Sequence, residues 1–245
     1  MESKHRKTYV ILGTGRSGTA YTSKLLQCCG LDIGHETLGS DGISSWYLTE
    51  ETPNKNSASW GDLSMSKPVV AHQLRNPMRT IPSLMTINND SWDFIKNSTI
   101  TSTWDNRLLV RSMRHWLEWN QAAFRKAEYH WTLEGLEKEI RPFLAAALPE
   151  LGLDVFNENV QRVSQATNSS KTRALDLNRI FSTSPQVLLR RLRQAYIPLV
   201  LTTEKMHAAD SVLTQDIDAF YTEFKDSVTI ELQRQLSSEG KNVAE

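Results

Sequence analysis

The chain has 245 residues, and its 28 Lys plus Arg balance 28 Asp plus Glu, for a formal net charge of zero at pH 7. That balance excludes a polyelectrolyte surface for nucleic acid or an anionic membrane, though a local basic pocket fits within it. The two cysteines, Cys28 and Cys29, are adjacent, which excludes a disulfide framework and a zinc site with ligand spacing.

The length suits one domain over 1–245, with a core from about 8 to 205 and a helical C-terminal addition from about 206. The first apolar run is too short for a signal peptide or a membrane anchor. Cytoplasmic residence without a membrane partner is therefore expected, and the N-x-[ST] matches at Asn89, Asn97 and Asn168 are read as chance.

In chain order, Tyr9 to Leu12 is a short apolar strand leading into Gly13-Thr14-Gly15-Arg16-Ser17-Gly18-Thr19-Ala20. Residues 18–29 have a helical pattern that Gly30 closes as a C′ residue. A strand, a tight loop and a helix N-terminus make an anion site, because the first helical amides lack intrahelical partners and the helix dipole adds positive charge.

This loop has several readings. A Walker A loop would have Lys and a hydroxyl residue after Gly18, where the chain has Thr19 and Ala20, so the groups that carry magnesium-nucleotide chemistry are missing. A dinucleotide fingerprint matches Gly13, Gly15 and Gly18. It also needs a second apolar strand ending in an acid, and the run before Asp32, Cys28-Cys29-Gly30-Leu31, is short and broken. A third reading puts a fixed cation, Arg16, inside the loop as the partner of an anion bound without magnesium, with Ser17 and Thr19 as added donors. A plain strand-to-helix connection is the fourth.

Residues 37–67 read as loop with one short strand near Trp46. Pro68 to Arg75 (PVVAHQLR) is a second apolar strand ending in a cation. Asn76 suits a helix cap and Pro77 the first helical position. Ser83 then falls near the second turn, where Pro82 removes a helical hydrogen bond. Arg75 and Ser83 can converge on one anion at the carboxyl edge of a sheet.

Leu109, Met113, Trp116, Asn120, Ala123 and Ala127 recur at helical spacing, predicting one helix over 104–128. A strand over 129–133, a helix from Glu134 to about Leu148, and helices over 185–195 and 215–236 follow. The basic cluster Leu189-Arg190-Arg191 with Arg193 reads as a solvated face. Strands alternating with helices predict an α/β protein: a three-layer, P-loop-like fold with a largely parallel sheet and extra C-terminal helices.

Arg16-Ser17-Gly18-Thr19-Ala20 after a first strand, with Arg75-Asn76-Pro77 and Ser83, resembles the sulfotransferases that use 3′-phosphoadenosine 5′-phosphosulfate (PAPS). Gly34-His35-Glu36 and Asp41-Gly42-Ile43-Ser44-Ser45-Trp46 resemble the small bacterial-type members. The chain departs from the family at Ala20, where a hydroxyl is usual, and it lacks the G-x-x-G-x-W-K motif of the cytosolic members.

The resemblance implies sulfuryl transfer from PAPS to a hydroxyl of a carbohydrate or small-molecule acceptor, without metal and leaving 3′-phosphoadenosine 5′-phosphate (PAP). It implies that Gly15, Arg16, Ser17, Gly18, Thr19 and Ala20 hold the 5′ side of the donor, and Arg75 and Ser83 its 3′-phosphate. Lys171 and Arg173 would cover the nucleotide. Arg16 would offset the leaving charge. Glu36 is the first candidate base and His35 the second, against a reading of both as ordinary loop residues. Asp41 and Trp46 are candidates for the acceptor pocket.

Overall fold

Tyr9–Leu12 (β1) occupies the middle of the sheet. All four side chains are buried, and successive ones enter different core clusters: Tyr9 and Ile11 one, Val10 and Leu12 another. That period of two, with both sides apolar, marks a strand covered on both faces. The computed structural model describes residues 7–50, 63, 67–173 and 202–242, with side chains over 7–50, 63, 67–164 and 202–234.

Ile33–His35 (β2), Gly42–Ser44 (β3), Val69–Leu74 (β4) and Tyr129–Thr132 (β5) complete a five-stranded sheet in the order β2-β3-β1-β4-β5. Every pairing is parallel, with Ile11 opposite Ser44 on one side and Ala71 on the other.

The helices are α1 (Thr19–Cys28), α2 (Pro77–Leu84), α3 (Asn89–Lys96), α4 (Leu108–Lys126), α5 (Leu136–Glu139), α6 (Arg141–Ala147), α7 (Leu153–Arg173), α8 (Thr203–Ala209) and α9 (Ser211–Asn242). Leu25 and Leu26 of α1, Phe143 of α6 and Phe156 of α7 build the core on one side of the sheet. Ile81 of α2, Met113 and Trp116 of α4, Met206 of α8 and Phe220 and Phe224 of α9 build a second cluster with Leu74. The result is the expected α/β architecture of a parallel sheet between helical layers.

The expected helix stop at Gly30 and helix start at Asn76-Pro77 are both present. Cys28 ends α1, Cys29 follows, and both are half-buried free thiols. Gly30 takes φ 93° just beyond them. Asn76 caps α2, its Oδ1 accepting from the Met78 amide at 2.9 Å, and Pro77 stands in the first turn.

The expected helix over 134–148 is instead two, α5 and α6, meeting at Ile140. Pro142 explains the break, since it has no N–H to donate to the Lys138 carbonyl and its ring crowds that position. Among the described elements, β2, α3, α7, α8 and a short 3₁₀ turn at Tyr47–Thr49 were not expected. The predicted helix over 185–195 and its arginine cluster lie outside the described residues. No described helix is long and apolar enough to cross a membrane.

Residues beyond 205 lie inside the second core cluster. Phe224 is fully buried and packs on His72 and Phe124 with ring centroids at 5.1 and 5.7 Å. Phe224→Ala should therefore cost about 3–5 kcal/mol in urea unfolding. A loss below about 1 kcal/mol, the range of an uncoupled surface position, would show that α9 is not part of the fold.

Candidate functional site

In a parallel sheet the carboxyl ends of all strands share one edge, and the loops leaving β1, β2, β3 and β4 meet there. They enclose a cavity of about 500 Å³. Gly15, Arg16, Gly18, Thr19 and Ala20 form one wall; His35 and Glu36, and then Arg75 and Ser83, form others.

The two cationic segments touch, Arg75 Nη1 donating to the Arg16 carbonyl at 3.1 Å. Arg75 Nε is buried without a partner among the described residues. Burial pulls the Arg75 pKa down, while Glu134 opposes the shift. An anion in this cavity would supply an acceptor for the unpartnered Nε and add to the counter-charge of Glu134.

The loop's shape comes from beneath. Gln73, fully buried on β4, donates through Nε2 to the Ser17 carbonyl at 2.8 Å. Its Oε1 accepts from the Thr22 hydroxyl and from Trp131 Nε1. One amide thus ties the loop, α1 and β5 to the central sheet. Gly18 caps α1 with φ 92°, and a Cβ there would stand 2.6 Å from a Leu133 methyl. The positive φ is what favours glycine here, while the Leu133 methyl, at the end of a flexible side chain, could move aside. No side chain caps α1, and the Tyr21 amide donates to the Gly18 carbonyl at 2.9 Å, which leaves the amides of Thr19 and Ala20 for a ligand.

Ser17 departs from its expected role. It is fully buried under the loop, outside the cavity wall, and its amide donates to the Thr14 carbonyl at 3.2 Å. Its hydroxyl has no partner among the described residues. Thr19 does reach the wall, with Oγ1 3.4 Å from His35 Nε2.

Arg16 (φ 71°) and Glu36 (φ 57°) are the two non-glycine residues with positive φ among those described. Each costs on the order of 1–3 kcal/mol, and such strain concentrates where a side chain must be aimed. Glu36 is fixed at the end of β2 by its amide, which donates to the Ser44 carbonyl at 3.0 Å. Burial raises its carboxyl to about 7, against hydrogen bonds from the Ser45 hydroxyl and the Trp46 amide. Its Oε1 accepts no hydrogen bond among the described residues and lies 3.8 Å from His35 Nε2. Burial lowers the His35 pKa, so this ring is neutral at neutral pH.

Trp46 lines the cavity as expected, but Asp41 does not. Asp41 precedes β3, at the opposite end of the strands, where its Oδ2 accepts from the Asp32 amide at 2.7 Å. Asp32 is there too, accepting from the Ser40 amide at 2.9 Å. The dinucleotide reading fails on this geometry: its acid is remote from the cleft, and β3 separates β2 from β1, whereas that fold pairs the first two strands directly. Lys171 and Arg173 fall in the last turn of α7, and their side chains lie outside the described residues.

Sequence reasoning missed Gln73, and it also missed the wall formed by Tyr47, Ile87, Asn88, Ser91 and His115. Asn88 had a readable signal as the α3 cap, its Oδ1 accepting from the Ser91 amide at 3.1 Å. Among the described residues no cluster of three or more His, Cys, Asp or Glu is placed to hold a metal.

No family model and no curated protein matches the chain. Among solved structures it is similar to mouse sulfotransferase SULT7A1 complexed with PAP, at 13% identity and a TM-score of 0.45, over 95% of this chain and 89% of that one.

Gln73→Leu should leave the Ser17 carbonyl, the Thr22 hydroxyl and Trp131 Nε1 stranded in the interior. At about 1–3 kcal/mol for each stranded group, urea unfolding should show a loss of about 3 kcal/mol or more. A variant within about 1 kcal/mol of wild type would mean that the clamp does not hold the loop.

Proposed function

We propose that the chain is a PAPS-dependent sulfotransferase acting on a hydroxyl of a carbohydrate or other small-molecule acceptor. The observation that carries this reading is the convergence of Arg16 and Arg75 on one cavity at the carboxyl edge of the sheet. The loop there offers a guanidinium where a magnesium-nucleotide site would place Lys and a metal-binding hydroxyl.

When bound, PAPS supplies the sulfuryl group and departs as PAP. Arg16, Thr19 and the first amides of α1 hold the 5′ side, while Arg75 and Ser83 hold the 3′-phosphate and set the donor's register. Glu36 Oε1 takes the acceptor's hydroxyl proton as the acceptor oxygen bonds to sulfur and the sulfur–phosphate oxygen bond breaks. Arg16 then meets the charge left on the phosphate. A carboxyl near 7 suits this proton transfer at neutral pH, with the neutral His35 ring beside it.

Calorimetry with PAP in magnesium-free buffer tests the binding half. Wild type should bind, and Arg16→Ala and Arg75→Ala should each weaken binding by about tenfold or more, the loss of a charge-assisted contact. Unchanged affinity in both variants would overturn the assignment.

Glu36→Gln should keep PAP affinity and lose about a hundredfold or more in turnover of radiolabelled PAPS. Glu36 must be ionised to accept a proton, so the wild-type rate should fall as pH drops below about 7. A variant turning over at the wild-type rate, or a wild-type profile flat from pH 8 to about 5.5, would remove Glu36 as the base.

A further inference from the structure

The same cavity is lined by Trp46, by Ile87, Asn88 and Ser91 of the α2–α3 segment, and by His115 of α4, which is 2% exposed. Both of its ring nitrogens are buried and neither has a hydrogen-bond partner among the described residues. Its neighbours are rings: Trp119 at 4.7 Å, Trp46 at 5.9 Å and Trp92 at 6.1 Å between centroids.

A buried polar ring with both nitrogens unsatisfied costs stability, at about 1–3 kcal/mol for each stranded group. A phenylalanine would fill much the same apolar space without that cost. The other polar groups of this wall are occupied with each other. Asn88 Oδ1 accepts from the Ser91 amide and hydroxyl, and Ser91 also hydrogen-bonds the Tyr47 hydroxyl. His115 is thus a buried, unsatisfied polar ring in the lining of the cavity.

Burial keeps its imidazole neutral, with a pKa lowered to about 3. A neutral imidazole carries one donor and one acceptor, which suits a hydroxyl or an amide. The rings packed on His115 carry no charge, so an ionised ligand group would be desolvated against them; Arg111, one turn earlier on α4, lies over the Trp92 face at 4.7 Å from its centroid.

We infer that His115 determines acceptor specificity: it hydrogen-bonds a second polar group on an uncharged, ring-bearing acceptor whose reacting hydroxyl lies at Glu36. The aromatic walls favour a flat body between the two polar ends, since ring pairs gain from edge and offset contacts. Glu36 enters through the transferase reading above; the chamber around His115 stands on its own geometry.

The test is a matched series of probes: para-methyl-, para-ethyl- and para-propylphenol, each beside its counterpart with a terminal hydroxyl on the side chain. Each is titrated calorimetrically into the full chain with and without PAP. In wild type at least one hydroxylated member should bind about tenfold or more tighter than its alkyl partner, the discrimination expected when a buried polar group is otherwise left unpaired. His115→Phe and His115→Leu should erase that preference, keep PAP affinity within about twofold, and melt no lower than wild type, since an unpaired polar ring has been removed.

No discrimination in wild type, no binding by any member, or a preference that survives both variants overturns the inference. So does a lower melting temperature with loss of both members of a pair, which would mark His115 as structural. Failure of PAP to bind tells against the transferase reading instead, while the PAP-free titrations still decide the role of His115.

Discussion

The site depends on one buried amide. Gln73 stands near the carboxyl end of β4 and satisfies three polar groups from three other parts of the chain: the Ser17 carbonyl, the Thr22 hydroxyl and the Trp131 indole. A glycine-rich loop has many conformations available, and an anion cradle needs one. Tying a loop carbonyl to β4 selects it, because losing that amide would strand several buried groups at once. Arg75, two residues further along, adds a second tie through the Arg16 carbonyl. The segment that holds the loop is thus the one that carries the second cation.

This arrangement gives the cavity two unlike ends. One presents Arg16, Arg75 and the open start of α1; the other presents Trp46, Tyr47 and His115. Glu36 and His35 lie between them at the tip of β2. Arg16 at the cationic end and Glu36 at the junction both have strained backbones. Such strain persists only where surrounding contacts over-determine it; here these are the Gln73 and Arg75 ties on one side and the Ser44 carbonyl on the other. A charged donor at one end and an uncharged acceptor at the other would meet at a carboxyl whose proton is easily gained or lost near neutral pH.

Features set by short-range chemistry were legible in the sequence. Asn76-Pro77 announced its helix, Gly30 its stop, and the 104–128 periodicity its long helix, because each depends on neighbours within a turn or two. The lining of the cavity by Arg16, Glu36, Arg75 and Ser83 was also anticipated, since a parallel sheet sends such loops to one edge. Gln73 was not, because within VVAHQL it reads as a polar interruption until tertiary contact brings three partners to it. β2 escaped notice as three residues at a sheet edge with Gly34 in the middle. In His115 the sequence displays only a polar residue on a tryptophan-rich helix; that both its nitrogens lack partners is a property of packing. Ser17 shows the converse, a residue placed correctly by motif whose side chain turns under the loop.

The claim on which the account rests is that Arg16 and Arg75 hold opposite ends of one doubly phosphorylated nucleotide. A crystal structure of the chain grown with PAP and without magnesium reads this directly. The account predicts the 5′-phosphate against Arg16 and the amides of Thr19 and Ala20, and the 3′-phosphate within hydrogen-bond distance of Arg75 and Ser83. Density for the nucleotide outside this cavity, or with both phosphates away from either arginine, would contradict it.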